Sequence, residues 1–193
     1  PMGSLDAPFN PVSLAIGAEA SFVARTVDSD RKHLTEVLRQ AAGHPGTALV
    51  EIYQNCNIFN DGAFDALKDR QQAEEAVIRL EHGRPIRFGA DGGKGVVRDR
   101  ATGDLKVVAV TPENETDVLV HDAHNASPTT AFALSRLADP DTLHHTPIGV
   151  FRSVGRPVYD TLMADQLDTA VDQHGKGDLA ALLTGGDTWT VAG

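Results

Sequence analysis

The sequence predicts an α/β protein, with parallel strands and covering helices in its first part and an appended mixed α/β region toward the C terminus. Three observations predict it. A compact run rich in β-branched residues, Phe22–Val27, is followed by a helical pattern and then by a largely apolar run, Thr47–Gln54; strand, helix, strand in that order reads as a βαβ unit with a parallel pair. Between Gly83 and Gly95 the composition shifts to short β-like runs punctuated by glycine. Finally, 193 residues with 41% hydrophobic and 23% charged side chains can bury one sizeable core, with room for an appendage. The shift in composition sets the expected division, residues 1–83 and residues 84–193.

The elements follow in order. Asn10 before Pro11 is a helix start, an N-cap followed by proline at the first helical position, with Leu14, Ala15 and Ala18 on the expected inner face. Ser29 or Asp30 caps the next helix, where Leu34, Val37, Leu38 and Ala41 recur at helical spacing until Gly43 and Pro45 end it. The apolar character of Thr47–Gln54 suits a strand covered on both faces. Gly62 to His82 reads as one long helix, with Phe64, Leu67, Ala73, Val77 and Leu80 along a stripe. Thr102-Gly103-Asp104 is a hairpin signal between two β-like runs. Asp117–Ala123 reads as a strand, and Ser127-Pro128 opens a helix through Ala138. From Asp139 the chain reads as loop, apart from an amphipathic piece around Tyr159–Val171.

Charge and cysteine usage narrow the function classes. A formal charge of −10 with scattered Lys and Arg argues against a general nucleic-acid binder, which draws its affinity from cations that neutralise phosphates. No apolar run reaches the eighteen or so residues of a membrane span, and the first eleven residues lack a secretory pattern. The single cysteine, Cys56, excludes an internal disulfide, which fits a reducing cytoplasm.

Cys56 stands just beyond the second parallel strand, in YQNCNIFND, and in open α/β sheets ligands gather outside the carboxyl ends of strands. Taken alone, a lone cysteine is more often a small buried hydrophobe. The surrounding sequence points further. PMGSLDAPFNPVSLAIGAEASFVART and DRKHLTEVLRQAAGHPGTALVEIYQNCNIFND, about the first third of the chain, resemble the later part of the thiamine-diphosphate-binding β subunit of 2-oxoacid:ferredoxin oxidoreductases. In that family a CxxC pair, a third cysteine early in the chain and a fourth after a strand hold a [4Fe-4S] cluster; the fourth matches Cys56. Thiolates hold such a cluster, and one ligand can come from far along a chain. Asn55 and Asn57 either offer amide donors to the cluster or serve as turn residues.

The resemblance implies a C-terminal portion of a thiamine-diphosphate-binding fold (residues 1–83) and a C-terminal extension (residues 84–193) that packs on it or on a partner subunit. It implies an enzyme that oxidatively decarboxylates 2-oxoglutarate with CoA to succinyl-CoA and CO2, passing electrons through the cluster to ferredoxin. The implied cofactors are thiamine diphosphate, Mg2+ and the [4Fe-4S] cluster; the implied partners are an α subunit, ferredoxin, CoA and a 2-oxoacid. The other three cysteines and the family's GDG…N motif are absent here, so the chain is expected to be a fragment, inactive alone, that carries Cys56 as metal ligand and no catalytic or thiamine-binding residue. Pro1, Met2 and Gly3 would sit near the cofactor. Two other classes stay open: a non-catalytic α/β interaction module with Cys56 inert, and a thiamine-dependent relative without a cluster.

TPIGVFR (Thr146–Arg152) and RPVYD (Arg156–Asp160) resemble the 2-oxoglutarate branch, whose distal carboxylate Arg152 and Arg156 could fork, although arginines more often cover apolar neighbours. Gly89–Val96 has the wrong glycine spacing for a phosphate loop and no Ser or Thr after Lys94. His121, Asp122, His124, His144 and His145 are metal-capable but poorly spaced for one strand face.

Overall fold

The computed structural model describes residues 5–6, 8–186, 189, 191 and 193. Helix α1 (Pro11–Gly17) starts where Asn10 Oδ1 accepts the Ser13 N–H at 2.9 Å. It turns Val12, Ala15 and Ile16 inward and leaves Leu14 exposed, so the buried face is rotated from the expected one. Strand β1 (Phe22–Val27) is buried along all six residues. Asp30 caps α2 (Arg31–Gly43) by accepting the His33 N–H, and β2 (Ala48–Tyr53) pairs with β1 in parallel, Phe22 opposite Ala48 through Val27 opposite Tyr53.

The burial expected of the second strand belongs to the first. β2 lies at the edge of a four-stranded sheet of order β2-β1-β7-β3 and is half exposed. The expected helix over residues 62–82 is shorter: α3 (Arg70–Ala76) gives way at once to β3 (Val77–Leu80). Val77 and Ile78 are β-branched, and pairing them with a buried strand outweighs the helical propensity of what precedes.

A second sheet holds β4 (Arg87–Phe88), β5 (Lys94–Arg98) and β6 (Leu105–Ala109), all antiparallel, with the expected turn at Gly103. Asp117–Ala123 runs alongside through single bridges, Val118 with Val97 and Val120 with Pro85. Helix α4 covers Thr129–Ser135.

The loop expected after Asp139 contains the longest strand of the chain, β7 (Thr146–Ser153), inserted between β1 and β3. It runs antiparallel to β1, with an irregularity between Val23 and Ala24, and parallel to β3. Gly149 is required there: its φ is +114°, and a Cβ would lie 2.6 Å from the Leu80 carbonyl oxygen.

Ile86, Phe88 and Val96 pack in one core cluster with Val12, Ile16, Val23, Ile78, Leu134 and Phe151. The chain forms two compact units, residues 1–156 and residues 157–193. The second contains α5 (Tyr159–His174) and a helix absent from the sequence expectation, α6 (Leu179–Thr184), capped by Asp178.

Candidate functional site

The carboxyl ends of β1 and β2 lie side by side, and the chain leaves both in loops whose polar groups are tied together. Beyond β1, the Asp28 N–H donates to the Tyr53 carbonyl at 3.0 Å, and Asp28 Oδ2 accepts the Asn55 N–H at 3.4 Å. The Lys68 ammonium stands 3.6 Å from Asp28 Oδ1. Beyond β2, one side chain organises the loop: Asn55 Nδ2 donates to Asn57 Oδ1 and to Asp61 Oδ1, each at 2.8 Å, while Asn55 Oδ1 accepts the Gly62 N–H at 2.9 Å. Asn55 is thus a turn residue with its amide engaged inside the loop.

Cys56 sits in this loop, partly accessible and unpaired. The Asn60 N–H donates to the Cys56 carbonyl at 3.0 Å, which closes a tight turn. The backbone N–H groups of Ile58, then Phe59, and more weakly Asn60 favour the thiolate and hold the thiol below the ordinary cysteine range, against partial desolvation and the Asp61 carboxylate. The resemblance singled out Cys56, whereas the effect of the neighbouring N–H groups depends on turn geometry that the sequence does not display.

Buried polar contacts fix the strand ends below the loop. Arg25, 1% exposed, donates through Nε to Glu51 Oε2 at 2.6 Å, bridging β1 and β2. Its guanidinium also lies 5.0 Å from the Tyr53 ring centre and 5.5 Å from that of Phe151. Tyr53 stacks on Phe64 with ring centres 4.7 Å apart. Beside this end of β1 opens a groove of about 780 Å³, lined by Asp30, Leu67, Lys68, Arg79, Arg84 and Arg87 among others.

The remaining candidates are engaged internally. Arg152, 2% exposed, donates to the Asn125 and Ala126 carbonyls and to Glu19, and Arg156 donates to the Glu19 carbonyl and carboxylate, so both arginines that could fork a substrate carboxylate already hold Glu19. The glycine-rich stretch encloses a carboxylate of its own chain: Lys94 lies 2.6 Å from Glu75, which also accepts the Ala90 N–H.

Buried His121 donates through Nε2–H to the Val150 carbonyl at 2.7 Å, and desolvation pushes its pKa down. His124 donates through Nδ1–H to the Ser153 carbonyl at 2.6 Å, and its ring centre lies 4.3 Å from that of His82. His144 and His145 sit apart from this group, with His145 edge-on to Phe88. Among the described residues no three His, Cys, Asp or Glu side chains form a metal set, and no helix is long and apolar enough to cross a membrane. Pro1, Met2 and Gly3, expected near a cofactor, lie outside the described residues.

The donor set fits one corner of an iron–sulfur cluster. It offers one accessible thiol biased toward the ligating form by backbone donors, while four such ligands are needed and the sequence holds a single cysteine.

Comparison with known proteins gives a consistent picture. No family model matches the chain. It is 55% identical over 193 residues to 2-oxoglutarate oxidoreductase subunit KorB of Mycobacterium tuberculosis, a match covering 99% of this chain and 51% of that protein. It is 25% identical over 123 residues to a 2-oxoacid:ferredoxin oxidoreductase subunit beta of Saccharolobus solfataricus, covering 60% of this chain and 39% of the relative. Its fold resembles a chain of the 2-oxoglutarate:ferredoxin oxidoreductase from Magnetococcus marinus, solved with 2-oxoglutarate, coenzyme A and succinyl-CoA bound: the TM-score is 0.56 at 17% identity, over 95% of this chain and 46% of the other. The chain therefore spans about half the length of the curated relative it matches end to end.

Proposed function

The chain belongs to the family of 2-oxoacid:ferredoxin oxidoreductase β subunits, and from that premise we propose that it contributes one ligand of a [4Fe-4S] cluster, Cys56, to a 2-oxoglutarate-oxidising enzyme. The reaction is oxidative decarboxylation of 2-oxoglutarate with CoA to succinyl-CoA and CO2, with electrons delivered to ferredoxin. The observation that carries this reading is the placement of the thiol: it stands, partly accessible, just beyond the carboxyl end of β2, in a turn closed by the Asn60 N–H on the Cys56 carbonyl. N–H groups aimed at a sulfur stabilise the thiolate that iron requires and influence the potential of a bound cluster.

A cluster held in part by Cys56 would supply the electron-accepting group for the electrons released as the 2-oxoacid is oxidised. Thiamine diphosphate, with Mg2+, supplies the carbanion chemistry. The other three thiolates and the groups that hold thiamine and magnesium come from polypeptide outside these 193 residues, a need that the greater length of the relatives accommodates. Residues 1–83 are then the later part of the thiamine-binding domain and residues 84–193 its extension, with Ile86, Phe88 and Val96 packing on that domain. The partners are an α subunit, ferredoxin, CoA and the 2-oxoacid. An iron-ligating thiol suits a reducing compartment, the cytoplasm.

The test uses the full-length β chain, co-expressed with its α subunit and purified anaerobically. Replacing Cys56 by Ala is expected to abolish the broad iron–sulfur absorption near ~400 nm and to lower bound iron. Unchanged iron in the Cys56→Ala assembly would refute the ligand role. Failure of the intact assembly to reduce ferredoxin with 2-oxoglutarate and CoA would refute the substrate reading instead.

A further inference from the structure

Two large apolar side chains stand in water at the tip of the turn that Cys56 opens: Ile58 is 83% exposed and Phe59 89%. The turn itself is held at both ends. The Asn60 N–H closes it on the Cys56 carbonyl, and the Asn55 side chain ties it to Asn57, Asp61 and the Gly62 N–H. Its other residues, Asn57, Asn60 and Asp61, are the polar types a surface turn favours. Leaving a fixed isoleucine and phenylalanine uncovered among them forgoes about 1.5–3 kcal/mol for each.

The turn geometry indicates what these side chains cover. A hydrogen bond from residue 60 back to residue 56 closes a single helix-like turn, in which residues three apart come to one side, so Phe59 stands on the side of Cys56. Ile58 and Phe59 also carry the N–H groups that act most strongly on the thiolate, and each Cα lies about 1.5 Å from its amide nitrogen. A group several times wider than a single ion, bound at this sulfur, is therefore bounded by these two side chains. The Asn55 amide, engaged within the loop, offers such a group no donor. Four thiolates leave an iron–sulfur cluster negatively charged, and more so when reduced; water beside it favours the reduced form, and apolar cover opposes it.

We infer that Ile58 and Phe59 form the dry wall of the iron–sulfur site: their side chains lie over the cluster held at Cys56, exclude water and dioxygen from it, and keep its potential low. The inference rests on the proposed ligand role of Cys56 and extends it to two side chains that touch no iron and act through the solvent they exclude.

The test uses the full-length β chain with its α subunit, purified anaerobically, and reads the potential and air sensitivity of the cluster. Phe59→Ser is expected to favour the reduced state about tenfold, a rise of about 59 mV in a one-electron redox titration followed by electron paramagnetic resonance. It is also expected to hasten the bleaching of absorption near ~400 nm in air. Ile58→Ser should move both readings in the same direction, and Phe59→Leu, which keeps apolar cover, should leave both near those of the unmodified assembly. Leu14→Ser, which removes an exposed apolar side chain from α1, should move neither. Unmoved readings in both serine variants, an equal shift in Leu14→Ser, or loss of iron from Phe59→Leu together with both serine variants would each overturn the inference. Iron lost on Cys56→Ala alongside unmoved serine variants sinks this inference alone, whereas iron retained on Cys56→Ala sinks the reading beneath it.

Discussion

Removing the carboxylate of Glu51 should destabilise this protein more than removing the guanidinium it pairs with. Arg25 is 1% exposed and bonds Glu51 at 2.6 Å, while the Glu51 side chain retains 16% exposure. Glu51→Ala therefore strands a cation with little access to water. Its remaining partners are the Pro147 carbonyl at 3.4 Å and the rings of Tyr53 and Phe151. Breaking a buried pair from one side costs about 3–5 kcal/mol, and the low end applies because those partners remain. For a chain of this length, about 3 kcal/mol lowers the melting temperature by roughly 6–12 °C. Arg25→Met removes the buried charge itself and leaves Glu51 able to turn toward water, so it should cost roughly half as much. Arg25→Met combined with Glu51→Leu should lie close to the unmodified protein. Differential scanning calorimetry of the four forms checks the series. Equal losses for the two single variants, or a loss under about 1 kcal/mol for Glu51→Ala, would refute the claim that burial of the guanidinium dominates.

Gly149→Ala forces a Cβ to within 2.6 Å of the Leu80 carbonyl oxygen at φ +114°, so it should cost more than about 3 kcal/mol; a denaturation midpoint unchanged from the unmodified protein would contradict the packing of β3 on β7. Glu19→Ala leaves Arg152, 2% exposed, without its carboxylate, and should destabilise by about 2–3 kcal/mol, with Glu19→Gln recovering part of the loss in the same unfolding assay. Asp99 has its pKa lowered from 3.8 to about 2, first by the Lys106 ammonium and then by the Ala101 and Thr102 N–H groups. A depressed folded-state pKa gives stability that is present above about pH 4 and lost as pH falls toward 2, so Asp99→Asn should flatten this stretch of the stability profile. Alkylation of Cys56 should titrate below the ordinary cysteine range, and Ile58→Pro, which deletes the leading N–H donor, should move it upward; an unmoved profile would count against the role of these donors.

The local signals in the sequence predicted the elements they govern. Asn10-Pro11 and Asp30 start helices because each supplies a side-chain acceptor within three residues of the donor it satisfies. Gly103 supplies the positive φ of a hairpin turn. The errors fall where distant chain decides. Val77–Leu80 continues a helical pattern, but its strand partner lies almost seventy residues later in β7. β7 itself holds Pro147 and Gly149, which read as loop residues; the irregular register against β1 and the close passage past Leu80 make a place for them in mid-sheet. Helix α6 is only six residues long and follows Gly175 and Gly177, so its start by the Asp178 cap was hidden in a glycine-rich stretch.

The candidate site shows the same division between near and far. The place of Cys56 just beyond a parallel strand was legible from the strand pattern, while its proposed ligand role came from the family resemblance. What fixes it there was not legible. Since β2 is a half-exposed edge strand, hydrophobic burial gives little hold on its carboxyl end. The hold comes from polar and aromatic contacts instead: Arg25 across to Glu51, Tyr53 stacked on Phe64, Asp28 to the Asn55 backbone, and the Asn55 amide closing the loop. Such contacts are directional, whereas apolar packing would leave the loop free to slide. Were Cys56 the cluster ligand proposed above, its sulfur would have to be held in direction as well as in place, and the hydrogen bonds at the edge of the sheet hold the loop that carries it.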